Sequence, residues 1–261
     1  MKSFSHNISL LKHKLRLKKT TLGTWITIPH QSIIEILSTA GFEWMVLDLE
    51  HSPMDYQQMQ NLIAHIQGNG MEALVRVAKN DEVQIKKALD AGANGIIVPM
   101  IKTLDDAKRV IKYSKYPPIG ERGVGLSRAN HYGNKFQSYV EWHQKELVIV
   151  FQVEHIDAVN NLDDILSIDG LDGIIIGPYD LSASLGKPGK FDDPDVAIAL
   201  KKVVETTLSS NVSLGFHEIS SDYKNVIEKF NLGYNFIAFS LDFNFLGNSA
   251  REQMNQLSKF I

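Results

Sequence analysis

The chain has 261 residues, 27 Lys and Arg against 30 Asp and Glu for a formal net charge of −3, and no cysteine. The missing thiol excludes disulfide scaffolding, thiolate catalysis and Cys-ligated zinc, and the near-balanced charge gives no polyanion-binding signature, so nucleic acid is not an expected partner. No apolar run approaches the roughly 20 residues that span a bilayer, so no membrane association is expected and a cytoplasmic location is; the length fits one large α/β domain as well as two small ones, barrels of about 250 residues being routine, and with no internal linker, tandem repeat or low-complexity tract a single domain over 1–261 is expected.

From Lys2 to Lys19 every charged residue is basic. The stretch lacks the uninterrupted apolar core of a secretory signal, although its acid-poor composition would also suit an organellar transit peptide. Phe4, Ile8, Leu11 and Leu15 are spaced like one face of a helix, so residues 1–20 are expected to form a helical cap beneath a barrel. Gly23 to Ile28 reads as a first strand closed by Pro29. A helix follows, with Ser32 as N-cap, Ile33, Ile36 and Leu37 on its apolar face and Gly41 after its end.

Trp44-Met45-Val46-Leu47-Asp48-Leu49-Glu50-His51 is the most informative stretch. Four apolar residues, as in a strand buried on both faces, run directly into two carboxylates and an imidazole. The periodicity then predicts a helix through Tyr56, Met59, Leu62, Ile63 and Ile66, a strand over Ala73–Val77 carrying Arg76, and a helix through Val83, Ile85, Ala88 and Leu89 that ends near Asp90. A fourth strand is expected over Gly95–Pro99 and a helix over Leu104–Tyr113. Residues 114–134 are turn-rich and too long for a routine connection; they read as a rim insertion. A helix over Phe136–Gln144 precedes a fifth strand, Leu147–Glu154. A helix-like stretch through Ala158, Leu162, Ile165 and Leu166 leads to a sixth strand, Gly173–Asp180. A helix over Val196–Leu208, a seventh strand over Val212–Phe216 followed by His217 and Glu218, a helix over Tyr223–Phe230, an eighth strand over Asn235–Ser240 and a helix from Phe245 complete the chain.

Eight strands alternating with helices predict a closed parallel (β/α)8 TIM barrel; no Gly-x-Gly-x-x-Gly follows the first strand, which disfavours a dinucleotide fold. In such a barrel the strand ends converge on one mouth. They supply Asp48, Glu50 and His51, Arg76, Gln152 and Glu154, and Asp180. Glu154 and Asp180 are candidate ligands for Mg²⁺ or Mn²⁺, which keep open positions for substrate oxygens. For either acid alone the reading as a solvated loop carboxylate wins; for the pair together with Arg76 and His51 that reading loses. Arg76, at the end of an apolar strand, needs an anion: a structural partner, or a substrate carboxylate or developing oxyanion. His51 is a candidate general base. Gly177 and Pro178, entering a helix, can leave N–H groups aimed at an anion; an ordinary strand-to-helix turn is the plain alternative. No strand core holds a lysine, which favours metal over imine activation.

Taken together, Gly41-Phe42-Glu43-Trp44 leading to Asp48-Leu49-Glu50-His51, Leu74-Val75-Arg76, Val83 to Gly92, Val98-Pro99-Met100, Tyr116-Pro117-Pro118-Ile119-Gly120-Glu121-Arg122-Gly123, Gln152-Val153-Glu154 and Gly177-Pro178-Tyr179-Asp180-Leu181-Ser182 resemble the metal-dependent (class II) pyruvate aldolases that include hydroxy-oxo-heptanedioate aldolase and dehydro-deoxy-glucarate aldolase. The resemblance runs from about Gly23 to the final helix. It implies a barrel of the phosphoenolpyruvate/pyruvate-binding type that exchanges its last helix between subunits of a homo-oligomer, a hexamer built as a trimer of dimers. It further implies reversible aldol cleavage of a 4-hydroxy-2-oxo acid, of sugar-acid or dicarboxylate type, to pyruvate and an aldehyde, with a divalent metal (Mg²⁺ or Mn²⁺, Co²⁺ also suiting) stabilising the pyruvate enolate. By the same resemblance His51 is the base, Arg76 stabilises the enolate, and Asp90 reaches the histidine from a neighbouring subunit. Asp48 joins this catalytic group; Gln152, Gly177, Pro178, Tyr179 and Asp180 contact substrate; and Glu154 and Asp180 hold the metal. The chain departs from the family pattern at Leu49, at Tyr179 and at Phe216-His217-Glu218, all expected to reshape the aldehyde half of the pocket. Two other functions are compatible with such a barrel: a different lyase or mutase of the same superfamily, and a 2-oxo-acid-binding protein without turnover.

Overall fold

The computed structural model of the protein describes residues 8–261; Phe4, expected on the N-terminal helix, lies outside them. Eight parallel strands close into a barrel in sequence order: β1 (Thr21–Ile26), β2 (Trp44–Asp48), β3 (Glu72–Arg76), β4 (Gly95–Val98), β5 (Val148–Val153), β6 (Gly173–Ile176), β7 (Ser213–Glu218) and β8 (Phe236–Leu241). Helices α1 (Leu10–Arg16), α2 (Gln31–Ser38), α3 (Tyr56–Gly68), α4 (Glu82–Asp90), α5 (Leu104–Ser114), α6 (Phe136–Glu146), α7 (Ile156–Asn160), α8 (Leu162–Leu166), α9 (Pro178–Ser184), α10 (Pro194–Ser209), α11 (Tyr223–Asn231) and α12 (Asp242–Leu257) accompany them, with a 3₁₀ turn at Arg128–Asn130.

The strands bury side chains on both faces, which is why the sequence shows apolar runs rather than alternation. One face packs against the helices: Met45, Leu47, Ala73, Val75, Ile96, Val98, Ile149 and Phe151 belong to this outer layer. The other fills the barrel with Trp25, Trp44, Val46, Leu74, Ile97, Val148, Val150, Ile175 and Phe236. The Trp44 indole stacks on Phe236 at 4.4 Å, and Gly23 makes room for it: a Cβ there would stand 2.2 Å from the indole. Leu11 and Leu15 of α1 join the same interior cluster, whereas Ile8 is exposed. α1 is pinned beneath the barrel by Lys12, whose Nζ donates to Asp172 at 2.7 Å and to the carbonyl of Leu147 at 2.6 Å, and by Ser9, whose Oγ donates to Glu72.

Several expectations about local structure are corrected. The sixth strand stops at Ile176, and Pro178 to Asp180 open α9 instead of extending the strand. β1 starts and stops two residues early, because the N–H groups of Thr27 and Ile28 donate to the Asp242 carboxylate rather than to a strand ladder. α2 is capped by His30, whose Nδ1 accepts from the Ser32 N–H at 3.2 Å, not by Ser32. The 114–134 stretch is no rim insertion. It connects α5 to α6, so it lies at the end of the barrel opposite the strand C-termini, where Arg128 bonds the carbonyl of Ala91 and the side chain of Gln67.

Candidate active site

The C-terminal ends of β1, β2, β3, β5 and β7, with the start of α9, build the mouth. At its centre is Arg76, 9% exposed. Its Nε donates to Asp48 Oδ1 at 3.0 Å and a terminal nitrogen donates to Asp48 Oδ2 at 2.5 Å, the two-point pairing that a planar guanidinium makes with a carboxylate. Asp48 also accepts from the Trp25 indole N–H at 3.2 Å and from the backbone N–H groups of Glu50 and His51. Burial pushes the Asp48 carboxyl up, but the Arg76 bond and charge with these N–H groups outweigh it and hold the group below its usual range. Asp48 is thus a fixed anion that orients Arg76, Trp25 and the β2–α3 turn, with its lone pairs committed.

Negative charge exceeds positive charge around it. Glu50 lies 3.3 Å from an Arg76 nitrogen; burial raises its carboxyl, and Asp48 and Asp180 add to the rise, while Arg76 and His51 oppose it. Glu154 is 3% exposed. Its Oε1 accepts from the Met100 N–H at 2.7 Å and its Oε2 from Gln152 Nε2 at 2.5 Å. Burial first, then Glu50 and Asp180, push its carboxyl up to about 7 despite those bonds. Three carboxylates therefore sense one another beside an arginine already matched by a fourth.

A divalent cation suits this donor set. The oxygens are hard ligands, and Gln152 Oε1 is buried without a hydrogen-bond partner. Gly177 leaves an open cradle, since a Cβ there would stand 2.8 Å from Glu154 Oε2. Among the described residues no three acidic, His or Cys side chains gather closely enough to enclose an ion by themselves, so an ion held by Glu154 and Asp180 would keep positions for other oxygens.

The remaining predicted residues fall into place unevenly. The His51 side chain is 70% exposed, with Nε2 3.9 Å from Glu50. Gly177 caps α9 without a side-chain bond, Pro178 fills its first position, and Asp180 sits in its first turn. Tyr179 is exposed and set edge-on to Phe191 at 5.0 Å. Asp90 ends α4 at the far end of the barrel, bonded at 2.6 Å to the buried Arg122, so within one chain it stands apart from His51. Leu49 packs against the outer layer rather than into the mouth, which removes it from the residues shaping the pocket. Ser240–Asp242, where a phosphate-holding loop would lie, spends its carboxylate on Thr27 and Ile28. A separate cavity of about 730 Å³, lined by Asp163, Ser167, Glu205, Ser209 and Asn211 among others, lies away from all of these groups.

Sequence reasoning gave Glu50 no role and overlooked Trp25. It also set His217 beyond the seventh strand; it is within β7 and faces the mouth, stacked on Trp25 at 4.4 Å and 12°. Alternation along β7 was the available signal: Phe216 packs outward, so its neighbour turns inward.

A family model described as HpcH/HpaI aldolase/citrate lyase matches residues 21–249. The chain belongs to the HpcH/HpaI aldolase/citrate lyase family. It is 33% identical over 233 residues, 88% of this chain and 86% of the relative, to a 2-keto-3-deoxy-L-rhamnonate aldolase of Escherichia coli O17:K52:H18. It is 32% identical over 246 residues, 94% and 95%, to a hydroxypyruvate/pyruvate aldolase of Roseobacter denitrificans. A crystal structure of an HpcH/HpaI family protein from Burkholderia cenocepacia J2315 superposes with a TM-score of 0.89 at 30% identity, over 95% of this chain and 98% of that one. The protein is thus a TIM-barrel carbon–carbon lyase of the class II pyruvate aldolase family, one that typically works with a metal. This membership sets aside the reading as a binding protein without turnover. No helix among the described residues is long and apolar enough to cross a membrane.

Proposed function

We propose that this HpcH/HpaI family member reversibly cleaves a 4-hydroxy-2-oxo acid, of sugar-acid or dicarboxylate type, to pyruvate and an aldehyde. The observation that carries the reading is the gathering of carboxylates at the mouth: Glu154 feels both Glu50 and Asp180, and Glu50 lies beside a guanidinium that Asp48 already neutralises. Such a site attracts a cation and, with it, an anionic chelating substrate.

Glu154 and Asp180 would hold Mg²⁺, Mn²⁺ or Co²⁺, which when bound acts as a Lewis acid toward the 2-oxo acid. Arg76, locked in orientation by Asp48, directs a remaining N–H toward the keto oxygen, where negative charge develops as the C3–C4 bond breaks. Gln152, Tyr179 and the Gly177-Pro178 entry to α9 line the pyruvate half. His51 Nε2 takes the proton of the C4 hydroxyl, the electron pair of the broken bond passes to C3, and protonation of C3 completes pyruvate. Glu50 lies 3.9 Å from that imidazole. In the assembled enzyme, a cytoplasmic trimer of dimers formed from single-domain chains, Asp90 of a neighbouring copy supports the imidazole, and α12 is exchanged between paired barrels.

Pyruvate release from a panel of 4-hydroxy-2-oxo acids, followed with and without chelator, tests the reading. Activity is expected to vanish on chelation and return with Mg²⁺ or Mn²⁺. Full activity in excess chelator would overturn the metal's role, and no pyruvate from any member of the panel would overturn the reaction.

A further inference from the structure

The arc of the mouth formed by β7, β8 and β1 is unlike the rest. Every carboxylate assigned to the pyruvate half comes from β2, β5 or α9, and Glu218, the acid at the end of β7, turns aside to accept from the Ser220 N–H at 3.0 Å. What this arc presents instead is a pair of stacked rings, Trp25 and His217.

The His217 ring is held in place and in protonation state. Its Nε2 lies 3.1 Å from the carbonyl oxygen of Ser240. A carbonyl oxygen only accepts, so Nε2 carries the hydrogen and donates it, which leaves Nδ1 with a free lone pair. Ser240 is itself fixed: it is fully buried, and its Oγ donates to the Ile219 carbonyl at 3.0 Å. Burial, reinforced by the nearby Arg76 charge, pushes the imidazole down to about 4, so the ring is neutral at physiological pH. The residue is half-buried, and its Nε2 is spent; the polar atom it has left is an acceptor.

We propose that His217 is a specificity-determining residue, whose Nδ1 accepts a hydrogen bond from a hydroxyl on the aldehyde half of the substrate, so that the enzyme selects hydroxylated aldehydes over their apolar counterparts. The proposal rests on the aldolase reading, because it assigns the pyruvate half to the carboxylate side of the mouth and leaves this arc for the other half. An acceptor placed against a hydroxyl discriminates against an isostere that lacks it, since the lone pair is then left without its donor. A neutral imidazole with this tautomer has no such preference for a carboxylate, which offers no hydrogen.

The test compares kcat/KM for aldol addition of pyruvate to glycolaldehyde and to propanal, in which a methyl replaces the hydroxyl, in the full chain with Mg²⁺. His217→Phe keeps a ring on Trp25 but removes both nitrogens; His217→Asn offers Oδ1 near the position of Nδ1. The glycolaldehyde-to-propanal ratio is expected to fall roughly three- to tenfold in His217→Phe, the loss of one neutral hydrogen bond, and to recover at least half-way in His217→Asn. An unchanged ratio in His217→Phe overturns the assignment, as does a ratio that falls equally in both variants, which would mark a merely structural ring. Deuterium exchange into the methyl group of pyruvate by the wild-type enzyme, which needs no aldehyde, separates the two levels. Exchange with an unchanged ratio defeats the His217 proposal alone; absence of both exchange and aldol product defeats the aldolase reading and this proposal with it.

Discussion

Arg76 is the residue on which the site turns, because a buried guanidinium cannot exist without its anion and the choice of anion fixes its direction. Asp48 takes two of its nitrogens and the Trp25 indole takes the other side of Asp48, so the arginine is aimed before any substrate arrives. His51, the proposed base, differs: it is mostly exposed and only loosely associated with Glu50, which leaves it open to a hydroxyl brought to it. His51→Ala is expected to lower kcat for pyruvate release about 10²–10⁴-fold, the usual worth of one general base, with kcat measured under saturating metal. Glu154 gives a signature that needs no substrate. Its carboxyl stands at about 7, above its ordinary 4.5, so the folded protein binds a proton there that the unfolded chain releases between those values. Stability of metal-free protein should therefore fall as pH rises through that window and level off above it. Thermal midpoints between about pH 5 and 8 should show this slope in the chelated wild type and lose it in Glu154→Gln. Asp48, Arg76 and Glu154 stood out in the sequence because an ionisable group at the end of an apolar strand is conspicuous, and Asp180 because it follows such a strand by a few residues. Trp25 did not, and His217 stood out only as a departure from the family pattern, because their contact joins residues 192 positions apart, brought together by the closure of β1 on β8 and not by any local pattern.

At the scale of elements, the barrel depends on alternate strand residues finding room inside. Gly23 faces the Trp44 indole, and Trp44 is pressed between it and Phe236. Gly23→Ala is expected to cost about 1–3 kcal/mol through overpacking, seen as a lowered urea midpoint, because neither ring has space to retreat. The order and type of these elements were legible from apolar runs and 3.6-residue periodicity, since eight strands buried on both faces leave little else for such runs to do. Their ends were less so. β1 ends where Asp242 captures two backbone N–H groups from across the barrel, and no property of Thr27 or Ile28 announces that. The misplaced 114–134 stretch has a topological cause: its turn-rich composition was plain, but whether it followed a strand or a helix decided which end of the barrel it occupied.

At the scale of the whole molecule, the proposed exchange of α12 rests on the second half of that helix. Every residue from 249 to 261 is exposed, Met254, Leu257 and Phe260 among them, an apolar surface that a second barrel would cover. Sedimentation velocity should give a trimer of dimers for the full chain and smaller species for a chain ending at residue 248; a monomeric full chain would remove the exchanged helix from the proposal. The opposite end of the molecule is closed. With Leu11 and Leu15 seated under the barrel and Lys12 tied to Asp172, the described residues close that end, and the mouth is the doorway that substrate would use. If pyruvate lies against Glu154 and Arg76, deepest in that doorway, and the aldehyde lies outside it toward His217, departure is in strict order: the aldehyde first, pyruvate last. Pyruvate is then the product that competes with the incoming hydroxy-oxo acid for the resting enzyme, and the aldehyde is not.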